Sequence, residues 1–257
     1  MKTLEEFVQS NNILVVAHRG SSGTAPENTL SSIREALQAG AKMVELDVQL
    51  TADKHAVVFH DSVLGRTTNG SGKIHNTSLK DIQQLDAGSW FSESFKNERV
   101  PLLGEALELL KGKAYVNIEI KPPQADENFE ERLQKILDEV FKAEMQQHVL
   151  FSSFHHASLA LLKKHSPGLH TAAIQVPNDK RLPSEIASEI GCRGFVCSLR
   201  ELSKKRAEDA LKNNMYVGVY TINSEEDLQK ALQYNVKAIV TNFPEKIMQA
   251  LTAVQKH

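Results

Sequence analysis

Carboxylates alternate with aliphatic residues in two short segments of the sequence. Glu45 and Asp47 lie two positions apart in the first segment. Asn117, Glu119 and Lys121 have the same spacing in the second. Because successive side chains of a β-strand point to opposite faces, each polar set shares one face of its strand. Buried carboxylates need protons, cations or a metal ion as partners.

Each segment alone would also fit an exposed strand face or a structural salt bridge. Two such strands converging in one fold favour a site for a cation instead. Three carboxylates, with neither cysteine nor a histidine pair at ligand spacing nearby, are typical of a hard ion such as Ca²⁺ or Mg²⁺.

Two histidines stand at the ends of predicted strands beside charged residues. His18 precedes Arg19 at the end of the first run, and His60 precedes Asp61 at the end of the third. Two histidines in one pocket provide the base and the acid that phosphoester cleavage requires, one for the nucleophile and one for the leaving oxygen. Arg19 and Lys121 add positive charge for a phosphate, which arginine can bind with two hydrogen bonds.

These side chains need a scaffold that gathers the ends of separate strands. Short β-branched runs alternate with amphipathic segments along nearly the whole chain. The predicted strands are 13–17, 44–50, 56–60, 115–120, 149–154, 171–176, 194–198, 217–222 and 238–241. The predicted helices are 29–38, capped by Asn28, and 103–110, 128–144, 158–164, 184–189, 204–212 and 225–232. This alternation predicts a parallel α/β barrel, for which 257 residues is an ordinary length.

Nine predicted strands are one more than the eight of a TIM barrel. Only residues 51–55 separate the second run from the third, whereas a parallel crossover takes a dozen or more residues. We therefore predict that the third run returns antiparallel beside the second, which would bring His60 close to Glu45 and Asp47. The long stretch 61–101 is predicted to be an insertion folded over one end of the barrel.

Composition narrows the class of protein further. The chain is 41% hydrophobic and 24% charged with a net charge of -2. It therefore lacks the excess of positive charge that is typical of proteins that bind nucleic acid. The two cysteines, Cys192 and Cys197, are expected to be buried thiols. Acidic residues near the start and the lack of an apolar run of about 20 residues predict neither signal peptide nor transmembrane segment. We expect one cytoplasmic domain over 1–257; its oligomeric state is not predicted.

Ordered motifs extend over nearly the whole chain. They are His18-Arg19-Gly20, Pro26-Glu27-Asn28-Thr29, Glu45-Leu46-Asp47-Val48, His60-Asp61, residues 66–72, Ile118-Glu119-Ile120-Lys121, Tyr220-Thr221-Ile222-Asn223 and Ile239-Val240-Thr241-Asn242. In these motifs the sequence resembles the glycerophosphodiester phosphodiesterase family. The resemblance implies a TIM barrel with an insertion after the third run. The implied reaction is metal-dependent hydrolysis of small-molecule glycerophosphodiesters, such as deacylated phospholipids, to an alcohol and sn-glycerol 3-phosphate.

The resemblance also implies roles for particular residues. His18 and His60 would be the general acid–base pair, and Arg19 and Lys121 would contact the phosphate. The residues that would hold one divalent metal ion, Ca²⁺ or Mg²⁺ with Mn²⁺ as a further option, are Glu45, Asp47 and Glu119. Tyr220 stands where the family often has Trp, and would offer an aromatic face to the glycerol. Asn242 stands where the family often has Asp, a change that leaves the implied metal ligands in place.

Two other functions stay open at this point. A lysophospholipase D or phospholipase C-like enzyme of the same fold would need an apolar rim facing a membrane. Trp90, Phe91 and Phe95 in the insertion could supply that rim, or could form a small core of the insertion itself. A non-catalytic protein that senses a metal or a phosphodiester would have no need of two histidines as an acid–base couple.

Overall fold

Nine β-strands make one sheet in the computed structural model, which describes residues 1–123 and 128–254. They are β1 (Leu14–His18), β2 (Met43–Leu50), β3 (Ala56–Val58), β4 (Tyr115–Ile120), β5 (Val149–Ser153), β6 (His170–Ile174), β7 (Gly194–Ser198), β8 (Tyr216–Tyr220) and β9 (Ala238–Thr241). All except β3 run parallel, and the sheet closes because β1 pairs with both β9 and β2. The predicted TIM barrel is confirmed.

Strand β3 is the exception that the short connection predicted. It pairs antiparallel with the last three residues of β2. The pairing continues past the strand, since the Phe59 N–H donates to the Asp47 carbonyl at 2.9 Å. The Gln49 Nε2 then donates to the His60 carbonyl at 2.9 Å. The chain therefore runs back along β2 as far as His60, and the predicted hairpin is confirmed.

Helices alternate with the strands, and most of them cover the outside of the barrel. They are α1 (Leu4–Ser10), α2 (Leu30–Gln38), α3 (Leu79–Ile82), α4 (Leu103–Leu110), α5 (Phe129–Lys142), α6 (His156–His165), α7 (Pro183–Ile190), α8 (Lys204–Lys212), α9 (Glu225–Leu232) and α10 (Pro244–Val254). Aliphatic residues on the outward strand faces, such as Leu46 and Ile118, pack against apolar residues of these helices in the main core. Helices α1, α3 and α10 are additional to the predicted ones.

The start of α2 differs from the prediction. Thr29, rather than Asn28, caps the helix, since its hydroxyl accepts a hydrogen bond from the Ser32 N–H at 3.2 Å. Asn28 is buried and has a φ of 59°. Asparagine tolerates this left-handed conformation better than most residues. The prediction that Asn28 caps the helix is therefore wrong; its amide has another partner, described below.

Residues 61–101 fold as a compact segment beside β3. This segment shares a small core with the chain at and just after β3, made of Val57, Phe59, Leu64, Ile74, Ile82, Ala87 and Val100. Glu98 accepts a hydrogen bond from the Ser31 N–H at 3.3 Å in the first turn of α2. The insertion thus lies against the connection that leaves the carboxyl end of β1.

The remaining expectations concern the thiols and the membrane. Cys192 and Cys197 are free and buried, as predicted, and burial raises the pKa of the Cys197 thiol to about 12. Among the described helices none combines the length and the apolar character needed to cross a membrane. The cytoplasmic location stays a prediction.

Candidate active site

A cavity of about 240 Å³ lies at the carboxyl end of the barrel strands. Seven of the eight predicted site residues line it: His18, Arg19, Glu45, His60, Glu119, Lys121 and Tyr220. The eighth, Asp47, is buried next to the cavity and forms ion pairs with two of the lining residues. The barrel therefore brings all of the predicted site residues together.

The three acidic residues form one cluster. Asp47 on β2 is in register with Glu119 on β4, and Glu45 lies two residues before Asp47 on the same strand face. One carboxylate oxygen from each lies within 4.8 Å of the others. Burial, followed by the charges of Asp47 and Glu119, raises the pKa of Glu45 well above its ordinary value. Burial and the Asp47 charge raise the pKa of Glu119 as well.

This cluster fits a divalent cation. The Glu45 Oε1 is buried and accepts no hydrogen bond from any residue of the described ranges. Three carboxylates at this separation repel one another unless a positive charge lies among them. All the ligand atoms they offer are hard oxygens, which suit Ca²⁺ or Mg²⁺ better than softer metals.

Lys121 and Arg19 provide positive charge from the protein itself. The Lys121 Nζ is 2.5 Å from Asp47 Oδ1 and is also bonded to Glu119. The Arg19 Nε is 3.1 Å from Asp47 Oδ2. Although burial opposes ionisation, these two cations hold the pKa of Asp47 below its ordinary value. Both side chains also line the cavity, where an anionic ligand would meet them.

His18 has a neutral hydrogen-bond partner. Its Nδ1 is 2.7 Å from the Asn242 Oδ1, and its Nε2 is 3.9 Å from Glu45 Oε2. Because an amide oxygen can only accept, Nδ1 carries the proton and the Nε2 lone pair is free. Burial, followed by the charge of Arg19, lowers the pKa of His18 to about 4. The imidazole is thus neutral at neutral pH.

His60 has a charged partner instead. Its Nδ1 is 2.5 Å from Asp61 Oδ1, and Arg66 holds the other oxygen of Asp61 through Nε at 2.5 Å. Although burial opposes it, hydrogen bonds from Arg66 and His60 keep the pKa of Asp61 at about 2. Burial, together with the charges of Lys121 and Arg19, lowers the pKa of His60 below its ordinary value, although the charge of Asp47 and the hydrogen bond to Asp61 oppose this shift.

Comparison with known proteins agrees with this geometry. The profile of the Glycerophosphoryl diester phosphodiesterase family matches residues 18–246. A glycerophosphodiester phosphodiesterase of Caldanaerobacter subterraneus subsp. tengcongensis is 36% identical over 237 residues, covering 91% of this chain and 96% of that protein. The chain belongs to the glycerophosphoryl diester phosphodiesterase family. The resemblance found in its motifs is confirmed.

Solved structures have the same fold as this phosphodiesterase. An Oleispira antarctica phosphodiesterase in complex with the product sn-glycerol-3-phosphate superposes with a TM-score of 0.87 at 33% identity, covering 95% of this chain and 99% of that one. A Silicibacter pomeroyi protein described as a putative glycerophosphoryl diester phosphodiesterase gives a TM-score of 0.87 at 25% identity, with 95% of each chain covered. The barrel is therefore the fold of this family.

The first motif of the phosphodiesterase shapes a tight turn after β1. Arg19 has a φ of 58° and Gly20 a φ of 80°. A Cβ on Gly20 would lie 2.4 Å from the Ser32 Oγ, so a side chain at this position would collide with α2. The turn points the Arg19 N–H at Glu45 Oε2, 2.9 Å away. The glycine thus allows the backbone itself to hold a carboxylate of the cluster.

Asn28 is a site residue that sequence reasoning missed. Its Nδ2 donates to Asp47 Oδ2 at 2.8 Å, and its Oδ1 accepts from the Asp47 N–H at 3.2 Å. The motif around it was recognised, but the interpretation as a helix cap hid its role. Its amide fixes the side chain of a predicted metal ligand from outside the two strands.

Glu27 and Arg66 connect the partner of His60 to Arg19. The sequence did not assign a role to either residue. Arg66 contacts both oxygens of Glu27, at 3.0 and 2.7 Å, in addition to Asp61. Glu27 in turn accepts from the Arg19 Nη1 at 2.8 Å. A continuous set of ion pairs therefore runs from the partner of His60, through the insertion and the β1–α2 connection, to Arg19.

The remaining wall of the cavity is largely apolar. Tyr220 lines it together with Phe154, Ile174 and Val196. Burial raises the pKa of the Tyr220 hydroxyl, so this group stays protonated at neutral pH. The phosphodiesterase thus has a charged wall and an apolar wall that face each other across one small cavity. Phe154 and Ile174 carry no sequence signal that separates them from ordinary strand residues.

Proposed function

We propose that the enzyme hydrolyses small-molecule glycerophosphodiesters, such as deacylated phospholipids, to an alcohol and sn-glycerol 3-phosphate. The observation that carries this proposal is the presence of two differently partnered histidines in one cavity with three clustered carboxylates. Support comes from the family, and from the Oleispira antarctica phosphodiesterase whose structure contains sn-glycerol-3-phosphate.

The metal dependence is part of the proposal. Glu45, Asp47 and Glu119 would hold one divalent ion, Ca²⁺ or Mg²⁺, with Mn²⁺ as a further option. The unpartnered Glu45 Oε1 and the all-oxygen donor set support this choice. When bound, such an ion offsets charge on the phosphoryl group and lowers the pKa of a coordinated hydroxyl.

The partners of the two histidines support different roles for them. His18 is neutral and has a free Nε2 lone pair, so it can take the proton of the nucleophile. His60 is hydrogen-bonded to the Asp61 carboxylate, which stabilises a protonated imidazole. In its protonated form, His60 would give a proton to the departing oxygen. The nucleophile is the 2-hydroxyl of the glycerol or a water molecule; only the hydroxyl would form a cyclic phosphate, which phosphorus NMR detects.

Substrate binding uses both walls of the cavity. Arg19 and Lys121 line it with positive charge, and each has N–H donors besides those bound to Asp47. They would bind the phosphate oxygens. The ring of Tyr220, on the apolar wall, would lie against the glycerol carbons.

A coupled assay for glycerol 3-phosphate release tests the proposal. Glycerophosphocholine and glycerophosphoethanolamine would be supplied with Ca²⁺, Mg²⁺ or Mn²⁺ in separate reactions. We expect turnover with at least one cation and loss of turnover in EDTA, reversed by added cation. Unchanged turnover in EDTA would contradict the metal site, and no release from any diester would contradict the substrate class.

A lipid-acting enzyme of the lysophospholipase D or phospholipase C-like type is a second candidate. Trp90 is 40% exposed, and Phe91 and Phe95 stack edge to face at 5.7 Å outside the core of the insertion. A partly exposed aromatic cluster of this kind favours contact with an apolar surface. Lysophosphatidylcholine hydrolysis faster than glycerophosphocholine hydrolysis, and lost selectively in Trp90→Ala, would favour this candidate; the reverse order of rates would exclude it.

A further inference from the structure

A second cavity, of about 370 Å³, opens at the opposite end of the barrel. The first residues of several strands line it, among them His170 of β6, Gly194 of β7 and Tyr216 of β8. It therefore lies at the amino end of the strands, away from the catalytic histidines. Its volume falls within the range of about 300–1,000 Å³ typical of small-molecule sites.

The cavity exists because neighbouring strands carry very small residues there. TIM-barrel interiors are ordinarily filled by layers of bulky branched side chains. Here the wall contains Ala172, Gly194, Gly218 and Ala238, from β6 to β9 in order. A Cβ on Gly218 would make only ordinary contacts, 3.4 Å to Val196 and 3.6 Å to Ala238. Packing around Gly218 thus does not require a glycine.

Helix α1 fills only one side of this end of the barrel. Leu4 packs with Val16, Met43 and Tyr115, residues of β1, β2 and β4. The ring of Phe7 stacks on Tyr115 at 4.0 Å. The opposite side, beneath β6, β7 and β8, keeps its open space.

The cavity is apolar inside and positively charged at its mouth. Aliphatic residues such as Leu14 and Leu150 line the interior, while Lys163, Arg193 and Lys237 lie among the lining residues. Arg193 is paired with Glu5 at 2.9 Å. Both lysines donate to backbone carbonyls, and no carboxylate in the described ranges lies within ion-pair distance of either. The mouth therefore offers two amines to an anion.

We propose that this cavity binds a straight-chain fatty acid, with the alkyl chain inside the barrel and the carboxylate beside Lys163 and Lys237. Asn117, Val196 and Val240 line both cavities and separate the chain from the catalytic groups. Deacylation of a phospholipid releases fatty acids together with the glycerophosphodiester, so the ligand would arise alongside the substrate. That connection rests on the proposed function, whereas the site itself does not.

Calorimetric titration of the full chain with decanoate, below its micelle concentration, tests the site. We expect saturable binding of one decanoate per chain, and binding of the equally long decyltrimethylammonium cation weaker by roughly tenfold or more. Glycerol 3-phosphate, which would occupy the catalytic cavity, should not displace decanoate. Absence of saturable binding, or displacement by glycerol 3-phosphate, would overturn the proposal.

Two variants localise the binding. Gly218→Ile fills the cavity and should abolish decanoate binding, with Ala238→Val as a second filling variant should the first not fold. Lys237→Met should weaken decanoate by roughly tenfold relative to Lys212→Met on the surface. Glycerophosphocholine turnover should be unchanged in all of them, which separates this site from the proposed reaction. Decanoate binding that survives Gly218→Ile would contradict the assignment.

Discussion

His18 and His60 line the same cavity but meet opposite chemical partners. An amide oxygen fixes the tautomer of His18 without adding charge, whereas a carboxylate that Arg66 holds in place accepts from His60. The proposed roles of base and acid rest on this difference in environment. The proposed division therefore depends on Asn242 and Asp61 as much as on the imidazoles.

Replacement of either histidine tests this division directly. General acid–base catalysis contributes about 10²–10⁴-fold for each group, so His18→Ala and His60→Ala should each lose turnover by at least that range. The measurement is kcat with glycerophosphocholine, with circular dichroism to show that the fold is kept. His165→Ala, on the exposed end of α6, is the matched control. Near-normal turnover by either active-site variant would rule out the replaced histidine as a general acid or base.

The neutral partner of His18 makes a prediction about pH. Asn242→Asp places a negative charge at the hydrogen-bonded position, which favours the protonated imidazole and raises the pKa of His18 above about 4. A base works only when deprotonated, so the acidic limb of kcat/KM should move to higher pH. The measurement is the pH dependence of kcat/KM for this variant, for wild type and for the exposed control Asn214→Asp. An unmoved acidic limb would show that His18 is not the base.

At the scale of elements, the β1–α2 connection helps to position the site residues, as the strands do. Asn28 there combines a left-handed backbone with two hydrogen bonds to Asp47. Asn28→Ala should lose both features and so lower the free energy of unfolding by about 2–5 kcal/mol. Asn28→Gly, which accepts the backbone conformation, should lose only the hydrogen bonds, about 1–3 kcal/mol. Urea unfolding measures both; equal losses would show that the backbone conformation contributes nothing.

The sequence predicted those elements that local patterns determine. Alternation placed Glu45 and Asp47 on one face, and the short connection 51–55 required a hairpin that returns His60 to β2. These conclusions depend only on strand geometry, which neighbouring residues set.

Contacts between loops leave no such pattern in the sequence. Arg66 and Glu27 are 39 positions apart and meet only because the insertion folds against the β1–α2 connection. Asn28 and Thr29 are both favoured cap residues, so residue type could not decide between them. The charged partners that hold the site thus became visible only in three dimensions.

On the scale of the whole molecule, the barrel is filled unevenly. At the carboxyl end, charged side chains from β2 and β4 point inward, and towards the amino end Ala172, Gly194, Gly218 and Ala238 on β6 to β9 leave open space. The two cavities share a wall that includes Asn117, whose Oδ1 accepts no hydrogen bond from the described residues. Side chains of the same strands therefore border both cavities.

Cation binding should change the stability of the whole barrel. Binding to the folded state alone adds about 2.7 kcal/mol at a cation concentration of 100 times Kd, which for a chain of this size raises Tm by roughly 5–10 °C. Glu45→Gln removes a buried carboxylate that Asp47 and Glu119 repel, while Gln can still accept the Arg19 N–H. In EDTA the variant should therefore be at least as stable as wild type.

With saturating cation the order should reverse, because the variant lacks one ligand. Thermal unfolding of wild type, Glu45→Gln and the surface control Glu208→Gln, each in EDTA and in a Ca²⁺ or Mg²⁺ series, measures this crossing. The control should follow wild type in every condition. An equal rise in Tm for wild type and Glu45→Gln would mean that the ion binds elsewhere, and no rise in wild type would mean that Lys121 and Arg19 alone neutralise the cluster.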